Sequence, residues 1–97
     1  MVRVVNYKKQ KDGTNIMRPS VFGNPFDMKQ LGITREESIA RFEMWMIEQV
    51  DSQTGIYEDL VYLYKQSKNG TVILVCCCKP KACHGDVIKN WIDNFQI

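Results

Sequence analysis

Thr71-Val72-Ile73-Leu74-Val75-Cys76 carries no charge and no turn former. Its β-branched and aliphatic side chains suit a pleated backbone. A strand with one wet face alternates apolar and polar residues, whereas this one is apolar on both faces. That pattern belongs to a central strand of a parallel sheet with helices covering each side.

The flanks of this strand complete an α/β pattern. Downstream, Asp86–Phe95 reads as a helix, with Val87, Ile88, Trp91, Ile92 and Phe95 at helical spacing. Upstream, Ile56–Ser67 carries Ile56, Leu60, Leu63 and Tyr64 on one side, and Asn69-Gly70 suggests a left-handed C-terminal cap. A longer helix is expected over Arg35–Val50. Thr34 and Glu37 have capping-box spacing there, and Ile39, Phe42, Met46 and Val50 form a stripe beside Trp45. Val2–Tyr7 is β-branched and reads as the first strand. Lys8–Thr14, with Asp12-Gly13, is a loop leading to a short extended piece at Asn15–Arg18. Strands joined through helices predict a right-handed parallel crossover. In such sheets ligands gather beyond the carboxyl ends of the strands. Both unusual loops, Arg18–Phe26 and Cys76–Asp86, follow a strand and are expected at that edge.

Size and charge set the bounds. A chain of 97 residues, 44% hydrophobic and 25% charged, has room for one core and one domain over residues 1–97. The net charge of +2 does not support nucleic-acid binding by bulk electrostatics. Lys8, Lys9 and Lys11, like Lys79 and Lys81, read as solvated loop lysines. Met1–Tyr7 lacks the apolar core of a signal peptide, and Val72–Cys78 is far too short to span a bilayer. A cytoplasmic protein without membrane attachment is expected. Its four cysteines, Cys76, Cys77, Cys78 and Cys83, crowd one segment. A disulfide framework would spread them to close loops, so reduced thiols are expected.

Three chemistries suit Cys76–Asp86. A strand–loop–helix junction offers free amides and a positive helix end to an anion, with Gly85 allowing close approach and Lys79, Lys81 and His84 adding polarity. Cys76, Cys78, Cys83 and His84 match zinc in number and softness, although adjacent Cys83 and His84 are awkward joint ligands. A thiolate at a helix N-terminus is a nucleophile, and His84 is the one histidine available as its base. Neighbouring side chains rarely aim at one another, so Cys78 with His84 is an easier pair than Cys83 with His84. Cys77 reads as core, and Asp86 as a helix-start residue complementing the dipole.

Arg-Pro-Ser-Val-Phe-Gly-Asn-Pro-Phe, residues 18–26, is dense in loop-fixing residues. Pro19 and Pro25 restrict the backbone, and Gly23 permits close approach. Arg18 presents a planar fork to phosphate or carboxylate, Ser20 and Asn24 offer directional hydrogen bonds, and Phe22 or Phe26 offers a stacking surface. The plainer reading is a structural turn with two aromatic plugs.

Arg18-Pro-Ser-Val-Phe-Gly-Asn-Pro-Phe26, followed by Cys76-x-Cys78-x-Pro80-x-x-Cys83-His84-Gly85-Asp86, resembles a family of bacteriophage and bacterial proteins, the domain-of-unknown-function family DUF4326. The resemblance spans nearly the whole chain and implies a phage origin and a site at these two motifs. Cys77 stands where relatives often carry tryptophan, which implies packing rather than ligation. The combined expectation is a small three-layer Rossmann-like α/β domain with a mostly parallel sheet, binding a nucleotide-like anion, with turnover of that ligand left open. Arg18, Ser20, Asn24, Gly85 and Asp86 would bind the ligand, and Cys83, His84 and Cys78 would be reactive. The alternative is a zinc-stabilised module, held by Cys76, Cys78, Cys83 and His84, that binds a host protein.

Overall fold

The computed structural model describes residues 1–95. In chain order the elements are β1 (Val2–Asn6), β2 (Thr14–Asn15), α1 (Met28–Leu31), α2 (Arg35–Asp51), α3 (Gly55–Asn69), β3 (Val72–Cys76) and α4 (His84–Asn94). The three strands are parallel in the order β1-β3-β2, so the apolar strand is central. Val2 pairs with Val72 and Asn6 with Cys76 along one edge, and Thr14 pairs with Leu74 along the other. The short extended piece expected at Asn15–Arg18 overlaps strand only at Asn15, and Thr14, expected in the preceding loop, begins β2.

Helix boundaries follow local chemistry. The Thr34 hydroxyl accepts the Glu37 amide at 3.1 Å and starts α2 where the capping spacing places it. Helix α3 ends at Gly70 in extended backbone, φ 167°, rather than the left-handed cap expected of Asn-Gly. The last helix begins two residues before the expected Asp86. Cys83 is its N-cap, and the Asp86 carboxylate reaches back to the Cys83 amide at 3.2 Å.

The core gathers on one face of the sheet. Val2, Val72, Leu74 and Cys76 pack with Phe42, Met46, Leu60, Leu63, Ile88 and Ile92 of the three long helices. Side chains alternate between faces along a strand. Ile73 and Val75 accordingly point the other way, outside that cluster. The helical cover expected on both faces is thus found on one. The β1–β2 connection ends beside β3 at Gly13, one residue before β2. There Gly13 has φ +141°, and a Cβ on it would lie 2.7 Å from the Ile73 carbonyl oxygen, so glycine is required. Among the described residues, no helix is long and apolar enough to cross a membrane.

Candidate functional site

All three strands point their carboxyl ends at the same edge, where the two unusual loops meet. The Asn6 side chain, ending β1, donates to the Lys79 carbonyl at 2.7 Å. Lys79 Nζ bonds Asp86 Oδ1 at 2.6 Å, which raises the lysine pKa, and the other carboxylate oxygen caps Cys83. This chain of contacts fastens the cysteine segment to the sheet and to the start of α4.

Between the loops is a cavity of about 160 Å³. Arg18, Asn24 and Phe26 line it from one loop, Cys76, Cys77, Cys78, Cys83 and His84 from the other, and Arg35 and Ile39 from α2. A larger hollow of about 500 Å³ lies at the opposite edge of the sheet, against Gly13, Thr71 and Val72. It is more open to solvent and has no thiol, imidazole or guanidinium in its wall. The smaller cavity holds the reactive and cationic groups, and for that reason it is the candidate site.

Most polar side chains of the first loop are engaged in folding it. Ser20 Oγ accepts the Phe22 amide at 3.2 Å. Asn24 Oδ1 accepts the Phe26 amide at 2.9 Å, while its amide group donates to Ser38 Oγ at 2.9 Å. Buried Ser38 donates to the Phe26 carbonyl at 2.6 Å, anchoring the loop on α2. Gly23 sits so close to Arg18 and Ser20 that a Cβ would meet both at 3.0 Å. Arg18 is half exposed and pairs with Asp27 at 3.1 Å. Asp27 N-caps α1, and the Gln30 amide leads the contacts that lower its pKa.

The second segment is tied by distant partners. His84 is 9% exposed, edge-on to Phe42 at 4.9 Å, and its Nε2 donates to the Ile16 carbonyl at 2.8 Å. Burial lowers its pKa, against the pull of the Ile16 and Phe22 carbonyls, so the ring is neutral. Cys83 is 2% exposed, and its Sγ lies 3.5 Å from Cys76 Sγ. Burial, reinforced by the neighbouring Cys76 thiol, pushes its pKa to about 12. Cys83 at neutral pH is therefore a protonated thiol, and among the described residues no hydrogen bond joins it, or Cys78, to His84.

Several site expectations change with these placements. Ser20, Gly85 and Asp86 do not line the cavity. Gly85 is buried where α4 crosses the sheet, and a Cβ there would lie 2.7 Å from Ile16 Cδ1 and 2.9 Å from Val4 Cγ1. It is a contact glycine, and Asp86 is a cap and ion-pair partner. Cys77, expected in the core, is exposed, because the chain leaves β3 at Cys76 and turns outward. Among the described residues no three His, Cys, Asp or Glu side chains are grouped to hold a metal ion.

Arg35 is the site residue that sequence reasoning missed. It is the first residue of α2, donates to the Ala82 carbonyl at 3.2 Å, and has no carboxylate partner among the described residues. Nothing local distinguishes it from any arginine opening a helix. Asp27 did carry a signal: Asp27-x-x-Gln30 has the spacing of a helix start.

Comparison with known proteins supports a phage-associated family. An Enterobacteria phage T4 protein, described as "Uncharacterized 12.4 kDa protein in nrdA-td intergenic region", is 32% identical over 102 residues, spanning 100% of this chain and 87% of its own length. No solved structure matches the chain. The family described as Domain of unknown function (DUF4326) matches residues 2–94, essentially every element from β1 to α4, and this chain belongs to it.

Proposed function

We propose that the protein binds a small nucleotide-like anion at the cavity between its two signature loops, and that it acts as a binder rather than an enzyme. One observation carries this reading. Arg18 and Arg35, from separate elements, line a single cavity whose wall holds one carboxylate, Asp27, among thiols, apolar side chains and the neutral polar groups of Asn24, Ser38 and His84. Arg18 is partly neutralised by Asp27, whereas Arg35 has no such partner among the described residues and keeps donors to spare. A guanidinium of this kind favours a planar or tetrahedral oxyanion.

Volume narrows the ligand. Pockets that engulf whole ligands measure about 300–1,000 Å³, and this one is about 160 Å³. It takes one ring or one phosphate, with the remainder of the ligand lying on the surface. The position beyond the carboxyl ends of parallel strands supports the Rossmann-like comparison in that respect. The raised Cys83 pKa and the engaged His84 argue for binding without covalent turnover. In a phage-infected cytoplasm, such a protein would sequester or deliver a nucleotide. The zinc-held host-protein module has no comparable support in the geometry.

Calorimetric titration with nucleoside mono-, di- and triphosphates and with inorganic phosphate tests the reading. Wild type is expected to bind at least one nucleotide. Arg35→Ala is expected to weaken that binding by about tenfold or more, the worth of one charged hydrogen bond. Absence of binding in wild type, or equal binding by Arg35→Ala, would overturn it.

A further inference from the structure

We propose that Cys76 and Cys83 form an oxidation site, a dithiol that closes reversibly to a disulfide when hydrogen peroxide enters the cavity. The two sulfurs are 3.5 Å apart, and both side chains are almost fully buried. Cys76 ends β3 and Cys83 caps α4, so the pair bridges two elements through a connection without helix or strand. A disulfide bond is about 2.05 Å long, so the sulfurs need approach by only roughly 1.5 Å. Both residues line the cavity, which gives a small oxidant a route to thiols with almost no surface of their own. This inference does not depend on the nucleotide reading.

The chemistry balances with hydrogen peroxide as oxidant. Cys76 sulfur attacks one peroxide oxygen and the O–O bond breaks. The departing hydroxide takes the thiol proton as water, leaving Cys76 as the sulfenic acid. Cys83 sulfur then attacks Cys76 sulfur, the S–S bond forms and the S–O bond breaks, and a second water leaves with the Cys83 proton. Two thiols lose two electrons and two protons, and one peroxide becomes two waters. The same disulfide results whichever of the two sulfurs is oxidised first, because each lies within 3.5 Å of the other.

The full chain treated with peroxide, alkylated and digested after lysine provides the test. Cleavage after Lys81 separates Cys83 from Cys76, Cys77 and Cys78. The thiol titre is expected to fall from the four cysteines of the chain to two, with a cross-linked peptide that dithiothreitol releases. That product should persist in Cys77→Ser and in Cys78→Ser and vanish in Cys83→Ala. Should Cys83→Ala fail to fold, fragment spectra of the wild-type cross-link identify the bridging sulfurs directly. Oxidation confined to exposed Cys77, or a cross-link that disappears with Cys78→Ser, would overturn the proposal.

Discussion

The two loops that meet at the cavity are held in opposite ways. Arg18–Phe26 is folded mainly by its own contacts, with Ser38 of α2 anchoring it from outside: Ser20 binds Phe22, Asn24 binds Phe26, and Gly23 packs on Arg18. Cys76–Asp86 is held by remote groups as well: Asn6 on Lys79, Ile16 on His84, and Arg35 on Ala82. Motif density therefore means something different in each. In the first loop, polar residues that look like ligand contacts are the loop's internal bracing, and Arg18 is what remains for a partner. In the second, residues that look reactive are joints between secondary-structure elements.

Removing the main joint should have the largest effect. His84→Ala deletes a buried ring against Phe42 and leaves the Ile16 carbonyl without its donor, and a loss of about 2–4 kcal/mol is expected. Urea unfolding measures it, and a change below about 1 kcal/mol would mean that the joint is dispensable. The same residue gives the wild type a pH signature. Its folded pKa lies below the ordinary value of 6.5, so the unfolded chain takes up its proton first on acidification. Stability should be fully present above pH 6.5 and decline as the pH falls from there toward the lower folded value. His84→Ala should flatten that slope between neutrality and the range where carboxylates begin to titrate.

Gly85→Ala comes next, at about 1–3 kcal/mol of destabilisation, because the new methyl must displace Ile16 and Val4 side chains. Gly55→Ala is its control, since a Cβ at Gly55 meets nothing within 4 Å and the position begins a helix. Chemical denaturation of both variants should separate them clearly; equal stabilities would deny that α4 rests closely on the sheet. The smallest effect belongs to the self-folded loop. Ser20→Ala loses one part-buried hydrogen bond, worth about 1 kcal/mol. Hydrogen exchange should show the loosening confined to residues 18–26. Spread of faster exchange into residues 76–86 would erase the contrast between the loops.

Much of the architecture was legible because it is written in local periodicity. The apolar run at Val72–Cys76 marked the central strand, the Thr34–Glu37 spacing marked the start of α2, and the stripe through Phe42 and Met46 marked its buried face. Boundaries slipped where a cap was unusual. Cys83 is an uncommon N-cap, so α4 was expected to begin at Asp86, although Asp86 is the residue whose carboxylate permits the earlier start. The site was legible as a location and less so as chemistry. Proximity of the two loops follows from parallel strands ending at one edge, whereas the use of each side chain depends on partners far along the chain.

Residue order alone determined that this is an α/β domain with a buried middle strand and two loops converging beyond it, since hydrophobic period and turn chemistry act over a few residues. Tertiary structure decided that His84 is neutral and tied to Ile16, that Cys83 is a masked thiol beside Cys76, and that Arg35 joins the cavity. Those properties arise from burial and from contacts such as the one between residues 16 and 84, which no local pattern encodes.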